Sequence, residues 1–160
     1  RPFRKPLINF SPKANLRHPG SYSLMSEFTS GGFKEVIDDT AVKDAGAIKK
    51  VLLCSGKVYF DLLEYQQKNN RTDIAILRLE QLYPFPMTQL NAQMEKYKGA
   101  ELMWVQEEPR NMGAWFYIWN LLGIKINKKV SRKSSASPAT GFAKIHAKEQ
   151  HEIVEQAFAD

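Results

Sequence analysis

The sequence predicts an α/β fold, an open and mostly parallel sheet flanked by helices. Three continuous apolar runs look like strands buried on both faces: Val51-Leu52-Leu53-Cys54, Ile74-Ala75-Ile76-Leu77-Arg78-Leu79 and Leu102-Met103-Trp104-Val105. Apolar residues at helical spacing stand between them. Strand and helix alternate from residue 50 to 158, the order that builds parallel strands joined by crossover helices.

Taken in order, Leu7-Ile8-Asn9-Phe10 is a short strand candidate closed by Ser11-Pro12. Residues 13–40 hold His18-Pro19-Gly20 and Ser30-Gly31-Gly32, so they read as loop with at most one short helical turn. After the first strand, Tyr59, Leu62 and Leu63 mark a helix that Lys68-Asn69-Asn70 stops. Tyr83-Pro84-Phe85-Pro86 breaks the chain after the second strand, and Leu90, Met94 and Tyr97 mark one face of a helix ending at Gly99. Beyond the third strand, residues 114–122 predict a helix that is apolar nearly all round. Lys129-Val130-Ser131-Arg132 follows as a short fourth strand. Ser137-Pro138 then predicts the start of the last helix, with Ser as N-cap and Pro in the first turn. Phe142, Ile145, Glu149, Ile153 and Ala157 repeat along one face, closed by Phe158. Residues 1–40 are thus expected to be a connector with the tail of a preceding domain, and 41–160 the α/β domain. A start without Met, already in mid-pattern, suggests a piece of a longer polypeptide.

At 160 residues, with 43% hydrophobic and 25% charged residues, the chain can bury a core of one ordinary domain. No apolar run approaches the roughly 20 residues that span a bilayer. The single cysteine, Cys54, excludes an internal disulfide and suits a reducing compartment; following three apolar residues, it reads as a buried, inert thiol. A net charge of +6 attracts anions, but the aromatics sit inside apolar segments rather than among exposed cations, which argues against nucleic acid.

Ligands of parallel sheets bind beyond the carboxyl ends of the strands. Here those ends are Cys54-Ser55-Gly56-Lys57, Glu80-Gln81-Leu82-Tyr83 and Gln106-Glu107-Glu108-Pro109-Arg110. Lys57 beside a helix start, with Arg110 nearby, has the ingredients of an anion site. The plainer reading is a tight strand-to-helix turn with a surface lysine. Glu107 and Glu108 are adjacent on an extended chain and point to opposite faces, which opposes a shared acid–base role. His146 and His151 are five apart, off the spacing that puts two metal ligands on one helix face. Lys13 and Arg17 beside His18, and Arg132-Lys133-Ser134 ahead of the last helix, are anion contacts or solvated basic loops.

The ordered motifs resemble a known family. Ser11-Pro12-Lys13-Ala14-Asn15-Leu16-Arg17-His18-Pro19, Leu53-Cys54-Ser55-Gly56-Lys57-Val58-Tyr59-Phe60-Asp61-Leu62-Leu63 and Arg78-Leu79-Glu80-Gln81-Leu82-Tyr83-Pro84-Phe85-Pro86 are similar to the 2-oxoglutarate dehydrogenase first component. So are Gln106-Glu107-Glu108-Pro109-Arg110-Asn111-Met112-Gly113-Ala114-Trp115 and Ser135-Ala136-Ser137-Pro138-Ala139-Thr140-Gly141. The resemblance covers nearly the whole chain.

It implies a transketolase C-terminal-domain-like fold at 41–160, the third α/β domain of a large homodimeric oxidoreductase of the tricarboxylic acid cycle. That enzyme uses thiamine diphosphate and magnesium to decarboxylate 2-oxoglutarate. It passes the succinyl group to lipoyl arms of the dihydrolipoamide succinyltransferase component, in bacterial cytoplasm or the mitochondrial matrix. The family's Gly-Asp-Gly cofactor motif does not occur here, so thiamine diphosphate, magnesium and the catalytic residues are expected on the preceding domains, and this chain alone is expected to be inactive. The resemblance also implies an effector site for acetyl-CoA or AMP at Arg17, Ser55, Lys57, Gln106 and Arg110. Two rival readings stand beside it: the equivalent domain of a pyruvate dehydrogenase or transketolase, and a freestanding module binding an anionic coenzyme. The Ser-Ala-Ser-Pro segment and the Ser-Pro-Lys connector favour the 2-oxoglutarate enzyme.

Overall fold

A computed structural model describes residues 3–6, 8–126 and 128–159. The chain divides into two compact units, residues 1–33 and 34–160.

In the first unit, two 3-10 turns, Lys13–Leu16 and Pro19–Ser21, precede the short helix α1, Met25–Thr29. None of its described residues is buried, and Phe10, Leu24, Met25 and Phe28 are exposed. The strand predicted at residues 7–10 is not formed at Ile8–Phe10, which are exposed and unassigned to any strand; Leu7 lies outside the described residues. More local structure forms here than the loop that the sequence predicts.

The second unit is a five-stranded sheet in the order β1-β3-β2-β4-β5. Its strands are β1 Val36–Ile37, β2 Lys50–Cys54, β3 Ile74–Leu79, β4 Glu101–Pro109 and β5 Lys128–Arg132. Strands β2 to β5 are mutually parallel, and only β1 runs antiparallel, against β3. The α/β architecture is therefore the one predicted, with β1 as an addition. Residues 34–40 contribute that edge strand, which two residues of apolar sequence were too short to announce.

Side chains alternate across β2 and its neighbours, and each set meets its own helices. Val51, Leu53, Ala75, Leu77, Leu102 and Trp104 face α3 (Met87–Met94) and α4 (Trp115–Leu122). Leu52, Cys54, Ile74, Ile76, Met103 and Val105 face α2 (Val58–Lys68) and α5 (Ala143–Phe158). The helix predicted to end at Gly99 is α3 continued by a 3-10 turn at Glu95–Tyr97. Asn69 caps α2 and Asn70 takes φ 50, so the Asn pair stops that helix as predicted.

Three boundaries differ from expectation. β4 continues to Pro109, because Pro109 still pairs with Arg132 across a register shift; Gln106 to Pro109 therefore lie on the strand. The last helix starts at Ala143, not at Ser137-Pro138: Ser137 donates its hydroxyl to the Ala139 carbonyl at 2.9 Å in a turn, and Phe142 is the N-cap. That leaves Phe142 exposed and shifts burial to Ile153, Val154, Ala157 and Phe158. α4 is apolar in composition but buries Trp115, Ile118 and Leu122, while Phe116 and Trp119 face outward.

Polar groups seal the sheet's outer border. The Asp39 carboxylate accepts from the Ile76 backbone N–H (3.0 Å) and from Gln66 Nε2 (2.9 Å), and Gln66 also donates to the Ile74 carbonyl at 2.8 Å. Arg71 grips Asp73 through Nε and Nη2 (2.8 and 2.9 Å) and reaches the Phe158 carbonyl with Nη1 at 2.8 Å, tying the end of α5 to the sheet.

Two outcomes follow from this packing. Leu53→Ala removes a fully buried side chain from the central strand and should cost about 2–5 kcal/mol in urea unfolding. The Arg71 guanidinium holds Asp73 below the usual carboxylate range. A depressed carboxyl stabilises above its ordinary value, and that contribution fades as pH falls through the lowered one. Asp73→Asn should therefore reduce stability at neutral pH and flatten the acid limb of the stability profile.

Candidate functional site

Three strand ends and the turns after them build the carboxyl edge of the sheet. After β2, Ser55-Gly56-Lys57 turns directly into α2, and Gly56 carries φ 77, a backbone state that suits glycine. Lys57 stands at the N-cap position with an αR backbone. Its ammonium donates to Asp61 Oδ2 at 2.9 Å and pairs with Glu107 Oε2 at 3.2 Å. Burial alone would lower the Lys57 pKa, but the Asp61 bond and the Glu107 charge outweigh it and raise the pKa above the usual lysine value. Glu107 also accepts from Gln150 Nε2 of α5 at 3.1 Å. Lys57 is thus a bridge between α2 and β4, with its charge already matched.

Gln106 is a hub. Only 2% exposed, it accepts through Oε1 from Trp104 Nε1 (2.8 Å) and from the Trp115 backbone N–H (3.0 Å). Its Nε2 donates to the carbonyls of Met112 (2.8 Å), Pro109 (3.1 Å) and Glu108 (3.4 Å). One amide therefore holds the end of β4, the turn after it and the start of α4. Gly113, at φ 69, lies so close that an added Cβ would sit 3.0 Å from both polar atoms of the Gln106 amide.

Ser55 and Gln106 line one cavity of about 460 Å3, together with Leu82, Tyr83, Glu108 and Tyr117. Glu108 thus opens towards α4 while Glu107 faces α2 and α5, the opposite orientations expected of neighbours on a strand. Arg110 lies just past β4, its backbone N–H donating to the Arg132 carbonyl at 2.9 Å. Its side chain is exposed and has no ion pair among the described residues. Nearby Lys129 of β5 sits with Nζ 4.6 Å from the Trp115 ring centroid. Burial first, and the Arg110 charge second, hold its pKa below the usual lysine value. Sequence reasoning missed Lys129 as a partner of Arg110, since a basic run does not say which cation meets which.

The five predicted residues are therefore not equivalent. Ser55 and Gln106 share a cavity, Lys57 points into an ion-pair network, and Arg110 stands at the β5 side of β4. Arg17 belongs to the first unit, where its carbonyl accepts from Tyr22 Oη at 3.2 Å. Among the other candidates, His18 Nδ1 accepts from the Gly20 N–H at 3.0 Å, and His151 pairs with Glu155 at 3.2 Å. Among the described residues no group of three or more His, Cys, Asp or Glu side chains could hold a metal ion. No helix among them is long and apolar enough to cross a membrane.

Three measurements check this geometry. Gly113→Ala combines left-handed strain with the Gln106 clash, whereas Gly56→Ala meets strain with open space around it. Gly113→Ala should lower the urea midpoint more, by about 2–4 kcal/mol in stability. Gln106→Leu orphans two buried N–H donors and should cost a similar amount. Burial pushes the Cys54 thiol up to about 12, so iodoacetamide at pH 8 should label it only as the chain unfolds. Rapid labelling of native protein would contradict the buried placement.

Comparison with known proteins agrees with this architecture. The family model described as "2-oxoglutarate dehydrogenase C-terminal" matches residues 22–158. The 2-oxoglutarate dehydrogenase E1 component of Haemophilus influenzae is 42% identical over 99% of this chain, and the oxoglutarate dehydrogenase of Buchnera aphidicola is 44% identical over 96%. The mitochondrial 2-oxoglutarate dehydrogenase of Caenorhabditis elegans is 41% identical over 98%. The chain spans 16–18% of the length of these relatives. Its sheet, its paired strand ends and these matches place the chain in the 2-oxoglutarate dehydrogenase C-terminal domain family.

Proposed function

We propose that this chain is the accessory α/β layer of an enzyme that oxidatively decarboxylates 2-oxoglutarate and transfers the succinyl group to lipoyl arms. The observation that carries it is the first unit, whose described residues include no buried one while Phe10, Leu24, Met25 and Phe28 lie exposed. Apolar surface of that kind is stabilised by covering it. The covering surfaces are the preceding domains of the same polypeptide, with residues 1–33 as connector and tail of the nearer one, and the second subunit of a homodimer. The dihydrolipoamide succinyltransferase component is the further partner, and the enzyme works in bacterial cytoplasm or the mitochondrial matrix.

Thiamine diphosphate with magnesium supplies the electron sink for decarboxylation in such an enzyme. The residues of this chain do not fit it: the Gly-Asp-Gly cofactor motif is missing, and the described residues include no carboxylate or histidine cluster suited to a metal. The cofactors belong to the rest of the polypeptide, and this chain contributes support and regulation.

The regulatory part is an effector site for acetyl-CoA or AMP. Support comes from the cavity beyond β2 and β4, which Ser55 lines together with Tyr83 and Tyr117. Arg110, without an acidic partner among the described residues, is the cation for the phosphates. Lys57, through exchange of its Glu107 pairing, and Gln106, by shaping the wall, are the remaining proposed contacts of the second unit, and Arg17 is proposed separately as an anion contact of the first unit.

The isolated chain, given 2-oxoglutarate, thiamine diphosphate and magnesium, should release no CO2; release that chelation abolishes would overturn the accessory role. Calorimetry at low salt should show binding of acetyl-CoA or AMP that Arg110→Ala weakens roughly tenfold. Absence of heat with both ligands would remove the effector site and leave the accessory role standing.

A further inference from the structure

Helix α4 buries one face on the sheet and leaves the other uncovered. Trp115, Ile118 and Leu122 point inward, so the helical repeat puts Asn120 at the middle of the outward face. Around it Phe116 and Trp119 are 54% and 51% exposed. Ile124, in the 3-10 turn that follows the helix, is 95% exposed, and Tyr117 and Leu121 form the border. These outward residues amount to roughly 500 Å2, near the largest apolar patch that monomers leave open and most of the roughly 600–800 Å2 that each partner buries in a stable dimer.

No residue from 112 to 124 is charged, whereas the whole chain carries a net charge of +6. Two copies meeting through a basic surface would bring like charges together. A partner of opposite charge, in turn, finds nothing on this face to pair with. An uncharged apolar face on a cationic chain suits contact with its own copy.

The face is also complementary to itself. A two-fold contact requires each group to be matched by its mate in the second copy. A side-chain amide is both donor and acceptor, so an Asn on the axis pairs with its own counterpart. The Asn120 amide is exposed and has no hydrogen bond to another side chain or backbone group among the described residues. Phe116 stands a turn before Asn120 and Ile124 about as far after it. With the two helices antiparallel, Phe116 of one copy therefore meets Ile124 of the other. The nearest cation, Lys125, then falls roughly 15 Å from its mate along the helix axes, beyond the screening length of about 8 Å at physiological salt.

Resting on the homodimer reading given above, we propose that the outward face of α4 is the seam of a two-fold dimer of this chain, with Asn120 on its axis. Sedimentation equilibrium of the chain should show a reversible monomer–dimer balance. Asn120→Asp and Asn120→Lys each set like charges across the axis and should weaken the dimer at least about tenfold. An equimolar mixture of the two variants should recover it, because opposite charges then face each other. Both variants should keep the parent's urea midpoint, since the position is exposed. A dimer that neither variant weakens overturns the placement on α4 and leaves the homodimer reading standing. A parent chain that stays monomeric at millimolar concentration, or a mixture that recovers nothing, overturns the contact between copies.

Discussion

Strand β2 lies between two parallel neighbours, so neither its edges nor its faces meet water, and the remaining elements are arranged around that condition. Its residues Val51 and Leu53 need one pair of helices, and Leu52 and Cys54 another. A parallel sheet also forbids tight hairpins, so each return to the starting edge requires a crossover. Those crossovers are α2, α3 and α4, and the turns that launch them lie together at the carboxyl edge. Where function can be built is thus fixed by how the sheet is covered.

At that edge the polar groups are largely spoken for. Lys57 is matched by Asp61 and Glu107, and Glu107 is shared with Gln150 of the last helix. Gln106 spends its amide on five neighbours from Trp104 to Trp115. These bonds tie the edge together, and among the described residues Arg110 and Lys129 have no acidic ion-pair partner.

The core strands were legible because period-two burial on both faces writes itself as unbroken apolar runs. The helix ends at Asn69 and Gly99 were legible because stop signals are local. The border strand β1 was not, since its two residues owe their conformation to β3 rather than to their own pattern. The start of α5 was misplaced for the opposite reason. Ser137-Pro138 is a good local start, but Ser137 forms its own turn and burial begins only near Ile153. In the candidate site, residue types were readable and pairings were not: nothing local tells Lys57 that Glu107 waits fifty positions on.

The carboxylate at Asp39 stands where the next carbonyl of an antiparallel neighbour would otherwise reach Ile76. It ends the ladder with a charge instead of another rung. Beyond β1, the Ile76 N–H is thus met by a side chain of its own unit and offers no free donor for cross-chain pairing. Two residues of strand and one acid together finish the flank of β3 without a further strand.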